Sequence, residues 1–149
     1  MRTITRDIVG GILYSNDGHI LLGKNVTGGV HEGLWVIPGG GIDEGETKET
    51  AVQREILEEV GIDISNAKME LLPDVLNGES EKTLRDTGER VIVSMTFNDF
   101  KVFIDKPATE IPIILEDDFG YAEWVPLGEL SSKQYSPTVK QRFKLLNLL

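Results

Sequence analysis

The stretch from Gly40 to Ile62, GGIDEGETKETAVQREILEEVGI, constrains the fold more than any other part of the chain. A run of glycines leads into a segment with helical periodicity, in which Val52, Ile56 and Val60 recur every four residues as an apolar stripe. Thr47, just ahead of it, is an N-cap residue, and Gly61, just after it, suits the C′ position of a helix. At about 100° per residue, Glu55, Glu58 and Glu59 fall within an arc of roughly 100° beside the stripe. The spacing predicts one short helix with a buried side and a cluster of carboxylates next to it.

These carboxylates work against their own helix. Glu55 and Glu59 form a like-charge i,i+4 pair, unfavourable by about 0.2–0.5 kcal/mol. Glu58 and Glu59 lie in the last turn, where the helix dipole disfavours anions. Arg54 is placed to pair with Glu58 four residues on, and is expected to neutralise only one of the three. A solvated acidic face is one reading of such a run. The other takes in the glycines ahead of it: Pro38-Gly39-Gly40-Gly41 is a flexible loop whose bare backbone an ion or a phosphate can approach. Oxygen-only ligands of high charge density suit Mg²⁺ or Mn²⁺. Local rules are broken at functional sites more readily than on idle surfaces, which favours the second reading.

The segment resembles the Nudix box, whose pattern is G-x5-E-x7-R-E-U-x-E-E-x-G-U with U an apolar residue. Gly40, Glu46, Arg54, Glu55, Ile56, Glu58, Glu59, Gly61 and Ile62 fill every fixed position. From average residue usage, such a match by chance in a chain of this length is on the order of one in ten million. The flanking GLWVIPGG and YAEWVPLGEL resemble the same family, so the likeness spans most of the chain. It implies an α/β fold, an α/β/α sandwich with a central mixed sheet, as one domain over residues 1–149. It also implies roles by position: Glu55, Glu58 and Glu59 as metal ligands, the carbonyl of Gly39 as the loop ligand, and Gly40, Glu46, Arg54 and Gly61 as supports that hold the box in shape.

At 149 residues, with 40% hydrophobic and 27% charged residues, the chain fits a single globular domain. It has no cysteine, which excludes disulfides, thiolate metal sites and a cysteine nucleophile. The apolar run Ile8 to Tyr14 is short, ends in polar residues and lacks a cleavage signal, so a signal peptide is not expected. Nothing approaches the roughly 18 apolar residues of a membrane span. A cytoplasmic location and no membrane partner are the expectation. The net charge of −10 carries no basic footprint for a nucleic-acid polymer. A phosphorylated small molecule must then be met by bound cations or a few placed basic residues.

Residues 6–15 and 19–24 read as strands joined at Asn16-Asp17-Gly18. Gly23 to Gly33 reads as a surface loop, and Leu34 to Ile37 as a short strand. Further strands are expected at 68–76, 90–104 and 121–125, with the polar 77–89 segment as a mobile loop. Ser136-Pro137 opens a C-terminal helix running to about Leu148. Leu145, Leu146, Leu148 and Leu149 make an apolar end that packs on the domain or on a second copy in a homodimer. Trp35 reads as a core anchor. His19 and His31 read as bystanders. Arg6, Lys24, Arg85 and Arg90 are cations that could meet phosphate.

Clustered carboxylates and a hard cation suit attack of water on phosphorus, with Glu55 or Glu58 as the base. Glu116, Asp117 and Asp118 are candidates for an acid outside the box, or else a solvated acidic turn. Phe119 and Tyr121 are candidates for stacking on a nucleobase. The resemblance implies hydrolysis of a nucleoside diphosphate linked to X. The leading substrate is a nucleoside triphosphate, oxidised forms included; dinucleoside polyphosphates, nucleotide sugars and a non-catalytic nucleotide-sensing role are the alternatives.

Overall fold

A computed structural model describes residues 1–24, 33–115 and 119–149. Its axis is a long first strand, β1 (Arg2–Tyr14), which pairs in parallel with β7 (Arg90–Phe103) along its whole length. The other edge of β1 carries β4 (Gly39–Gly41) and, beyond the Asn16-Asp17-Gly18 turn, the start of β2 (His19–Lys24), both antiparallel. β2 continues the sheet outward, pairing with β3 (Trp35–Val36) on one edge and β8 (Tyr121–Pro126) on the other. β5 (Lys68–Leu71) and β6 (Leu76–Thr83) follow one another along the far edge of β7. The result is an eight-stranded mixed sheet.

Alternation along the central strands supplies two cores. Val9 and Leu13 of β1 and Leu21 of β2 point to one face, under α1 (Lys48–Val60) and its buried Val52, Ile56 and Val60. Ile12, Ile20 and Leu22 point to the other, where α2 (Pro137–Leu145) packs through Val139 and Phe143. A helix on each face makes the layered α/β/α arrangement.

α1 begins and ends where its capping residues say. The Thr47 hydroxyl accepts from the Thr50 N–H at 3.1 Å, and Gly61 closes the helix at φ 69°, donating to the Leu57 carbonyl at 3.0 Å. α2 is shorter than its apolar pattern suggests. Asn147 turns left-handed at φ 58°, and Leu148 folds back to donate to the Phe143 carbonyl. This sends Leu146 and Leu148 onto the core below α2 and leaves Leu145 and Leu149 exposed. Ser136 precedes α2 but makes no side-chain cap.

Other segments also depart from the sequence reading, among them the first strand, which starts at Arg2 rather than at residue 6. The 77–89 stretch is not a loop; its first seven residues belong to β6, and only 84–89 turns, with Gly88 at φ 71°. An edge strand takes its hydrogen bonds from one neighbour and needs few apolar side chains, so composition conceals it. The single strand expected over 68–76 is instead broken at 72–75, around Pro73, which has no N–H to give a ladder. The surface loop expected over Gly23–Gly33 falls mostly on residues 25–32, outside the described residues, although Gly23 itself lies in β2.

Candidate active site

The glycine run is anchored rather than loose. Gly39, Gly40 and Gly41 form β4, in register with Gly10, Val9 and Ile8 of β1. The Gly39 N–H turns away from β1 and donates to Glu59 Oε1 at 2.9 Å. In an antiparallel strand a residue's N–H and C=O point the same way, so the Gly39 carbonyl also lies on the Glu59 side. Gly40 faces the Glu55 carboxylate so closely that a Cβ there would overlap it. β1 thus fixes the glycines, and the glycines fix how near α1 can bring its acids.

Arg54 gathers the box. Its Nε and Nη2 donate to the two oxygens of Glu46, each at 2.8 Å, in the planar fork geometry that guanidinium and carboxylate share. Nη2 also donates to the Gly41 carbonyl at 3.0 Å, while Nη1 reaches Glu55 Oε1 at 3.0 Å and Glu58 Oε2 at 3.3 Å. One guanidinium therefore meets two of the helix carboxylates, where the i,i+4 spacing suggested one. The contact that sequence spacing misses is Glu55, the adjacent residue. Glu46 in turn accepts from the Asp43 N–H, and Arg54 with that N–H holds its carboxyl down at about 2. The same contact, Glu46 foremost, raises Arg54 further.

Glu59 is in the opposite situation. Burial pushes its carboxyl up to about 8, with Glu55 and Glu58 adding to the rise and the Gly39 N–H opposing it. Among the described residues no three acidic or imidazole side chains converge closely enough to hold a metal ion. Glu55 and Glu58 turn to Arg54, and Glu59 turns to Gly39. The donor set is nonetheless all oxygen and short of positive charge at Glu59, which fits a hard divalent cation.

Glu59 and Gly39 stand at one end of a cavity of about 470 Å³. It runs over β1 and β7 to the start of α2, lined by Ile37, Phe97, Asp99, Pro137 and Thr138 among others, with Asn77 and Glu79 of β6 on its wall. Sequence reasoning missed this set. The available signal was period two along β7, which puts Met95, Phe97 and Asp99 on one face, together with a charge inside an apolar run.

Phe119 also lines the cavity, but it is 5% exposed and its ring fills the space that Gly23 leaves. Tyr121 does not line it. It is exposed, packs edge-on against Trp35 with centroids 5.9 Å apart, and donates to Glu123 at 2.7 Å. Trp35 is the buried anchor its sequence context suggests, with the Lys24 ammonium 4.4 Å from its ring centre. Arg90 pairs with Glu81 and Thr83 at the end of the sheet remote from the box. Arg6 lies against Gly41, beside the box. His19 contacts Asp17 in the hairpin turn. Glu116, Asp117, Asp118 and His31 lie outside the described residues.

Sheet, helices and box together define a class: an α/β domain with an acid-bearing loop and helix at the mouth of a cleft. The chain belongs to the Nudix family, since the family model described as NUDIX domain matches residues 4–149. Among its relatives, the nucleoside triphosphatase NudI of Salmonella heidelberg (strain SL476) is 28% identical over 138 residues, covering 92% of this chain and 94% of the relative. The RNA pyrophosphohydrolase of Wolbachia sp. subsp. Brugia malayi (strain TRS) is 45% identical over 58 residues, 39% of this chain, and the match spans only 34% of that relative. The solved E. coli dihydroneopterin triphosphate pyrophosphohydrolase superposes with a TM-score of 0.71 at 18% identity, covering 95% of this chain and 96% of that one, a likeness of fold. No helix among the described residues is long and apolar enough to cross a membrane.

Proposed function

We propose that this chain, as one domain over residues 1–149, is a divalent-cation-dependent pyrophosphohydrolase of a nucleoside diphosphate linked to X. A nucleoside triphosphate, oxidised forms included, is the substrate class. The observation that carries this reading is Glu59: a carboxylate set by the Gly39 strand at the end of the cavity, on the same helix as Glu55 and Glu58. The end-to-end similarity to a nucleoside triphosphatase supports the choice of substrate.

Glu55, Glu58, Glu59 and the Gly39 carbonyl would hold Mg²⁺ or Mn²⁺. The ion would neutralise phosphate charge, polarise phosphorus and acidify a water. The chain's own part is orientation and proton transfer. Arg54 fixes the rotamers of Glu55 and Glu58, and one of these takes the proton of the attacking water as it adds to phosphorus in line with the leaving phosphate. Arg6 lies close enough to the box to meet a phosphate.

The test is incubation with Mg²⁺ or Mn²⁺ and a panel of nucleotides, with products identified. Hydrolysis at a phosphoanhydride that stops with chelator is expected. Glu58→Gln and Glu59→Gln are expected to lower kcat by at least about a hundredfold with circular dichroism unchanged, as for loss of transition-state charge stabilisation. Cleavage undiminished in both variants, or persisting in chelator, would overturn the reading.

A further inference from the structure

Asp99, which lines the cavity, belongs to an ion pair that the hydrolytic chemistry does not use. Asp99 of β7 is 3% exposed and Arg142 of α2 is 1% exposed. Arg142 Nε donates to Asp99 Oδ2 at 2.7 Å, and its Nη2 donates to the Asp74 carbonyl at 2.6 Å. That accounts for one carboxylate oxygen. The other, Oδ1, has no hydrogen-bond partner among the described residues, and Asp99 lines the cavity. Oδ1 lies over Gly10, where a Cβ would stand 2.6 Å from it, so the strand opposite is bare where the oxygen opens.

A purely structural ion pair between β7 and α2 explains Oδ2. It leaves the second oxygen open: no buried side-chain oxygen among the described residues lacks a partner, so the unpaired Oδ1 reaches the space of the cavity. A ligand that covered it without donating would leave a charged acceptor buried and unpaired, which is costly. Burial raises the Asp99 carboxyl above its ordinary value and the Arg142 guanidinium opposes the rise; as the second oxygen of the carboxylate that pairs with that guanidinium, Oδ1 is an acceptor. Phe97, Ile37 and Pro137 are apolar lining residues, and the volume has room for a nucleobase. What such a pocket takes is a planar heterocycle with a donor hydrogen at its edge. A ring carbonyl at that point would set lone pair against lone pair.

We propose that Asp99 is a specificity-determining residue, selecting nucleobases whose exocyclic amino group donates to Oδ1. The inference rests on the nucleotide reading above and deepens it. Its signature is a preference within pairs of nucleotides that differ in that amino group.

The decisive measurement is kcat/KM of the wild-type protein on GTP against ITP, ATP against purine riboside triphosphate, and CTP against UTP. For whichever of these the protein hydrolyses best, the amino-bearing member is expected to win by about tenfold to a hundredfold, the range for a buried acceptor left unpaired. Asp99→Asn places an amide N–H₂ where Oδ1 was, once Arg142 has claimed the oxygen, and is expected to abolish or invert the ratio. A merely structural Asp99 would lower activity on both members together. Ratios within about twofold in all three pairs, or a preferred oxo member, would overturn the proposal; so would a ratio unchanged in Asp99→Asn. If that variant does not fold, the wild-type ratios decide alone.

If no nucleotide is hydrolysed, the hydrolase reading fails separately. The pocket is then read by titrating guanosine against inosine, adenosine against purine riboside, and cytidine against uridine into ¹⁵N-labelled protein. Stronger binding of the amino nucleosides, with shifts at the Gly10, Gly78 and Asp99 amides, would sustain the proposal. No binding at millimolar nucleoside, or no preference, would end it.

Discussion

Glu59 is a carboxylate held largely out of water on the box helix. Its folded value of about 8 lies above the ordinary 4.5, so the native state holds this proton more tightly than the unfolded chain between those limits. The resulting stabilisation is complete below about pH 4.5 and is lost as pH rises through about 8. Without divalent cations, thermal unfolding should therefore show stability declining from pH 5 to pH 8, by on the order of a few kcal/mol. Glu59→Gln should flatten that decline; an unaltered slope in the variant would refute the assignment. Cation binding needs the ionised form and so should release a proton near neutral pH, measurable by calorimetry in buffers of differing ionisation enthalpy. That Glu55, Glu58 and Glu59 share one side of a helix was readable from spacing, because a helix puts residues three and four apart on one side. Asp99 and Arg142 were not. They lie 43 residues apart and meet only because β7 and α2 share a face of the sheet.

The box helix is legible because its signals are local. Thr47, the stripe of Val52, Ile56 and Val60, and Gly61 each specify a feature within one or two turns. The glycine strand and β6 are not legible in this way. Three consecutive glycines read as flexible, yet pairing with β1 holds them extended, and β6 is held by β7 with Leu76 as its one buried apolar residue. The fit of β4 against α1 makes a sharp prediction. Gly40→Ala has no positive φ to strain, but its Cβ would displace the Glu55 carboxylate. kcat is expected to fall by about a hundredfold, the scale of a 1 Å misplacement, with secondary structure intact. Full activity in this variant would show that the Glu55 position is not critical.

A net charge of −10 repels the polyanion that the cleft is proposed to bind. At saturating divalent cation, raising monovalent salt from about 10 to 150 mM shortens the Debye length from about 30 to 8 Å and screens that repulsion. A severalfold rise in kcat/KM is expected; a monotonic fall would mean that local cations dominate the approach instead. The ladder between β1 and β7 carries a consequence for biosynthesis. Arg2 pairs with Val91 and Tyr14 with Phe103, so the first strand made waits for nearly ninety further residues before its longest partner exists. At about 5–20 residues per second that delay lasts from roughly four to twenty seconds. Throughout it, the apolar Ile8–Leu13 segment has no mate on the nascent chain along that edge, which makes this interval the one in which holdase chaperones have most to protect.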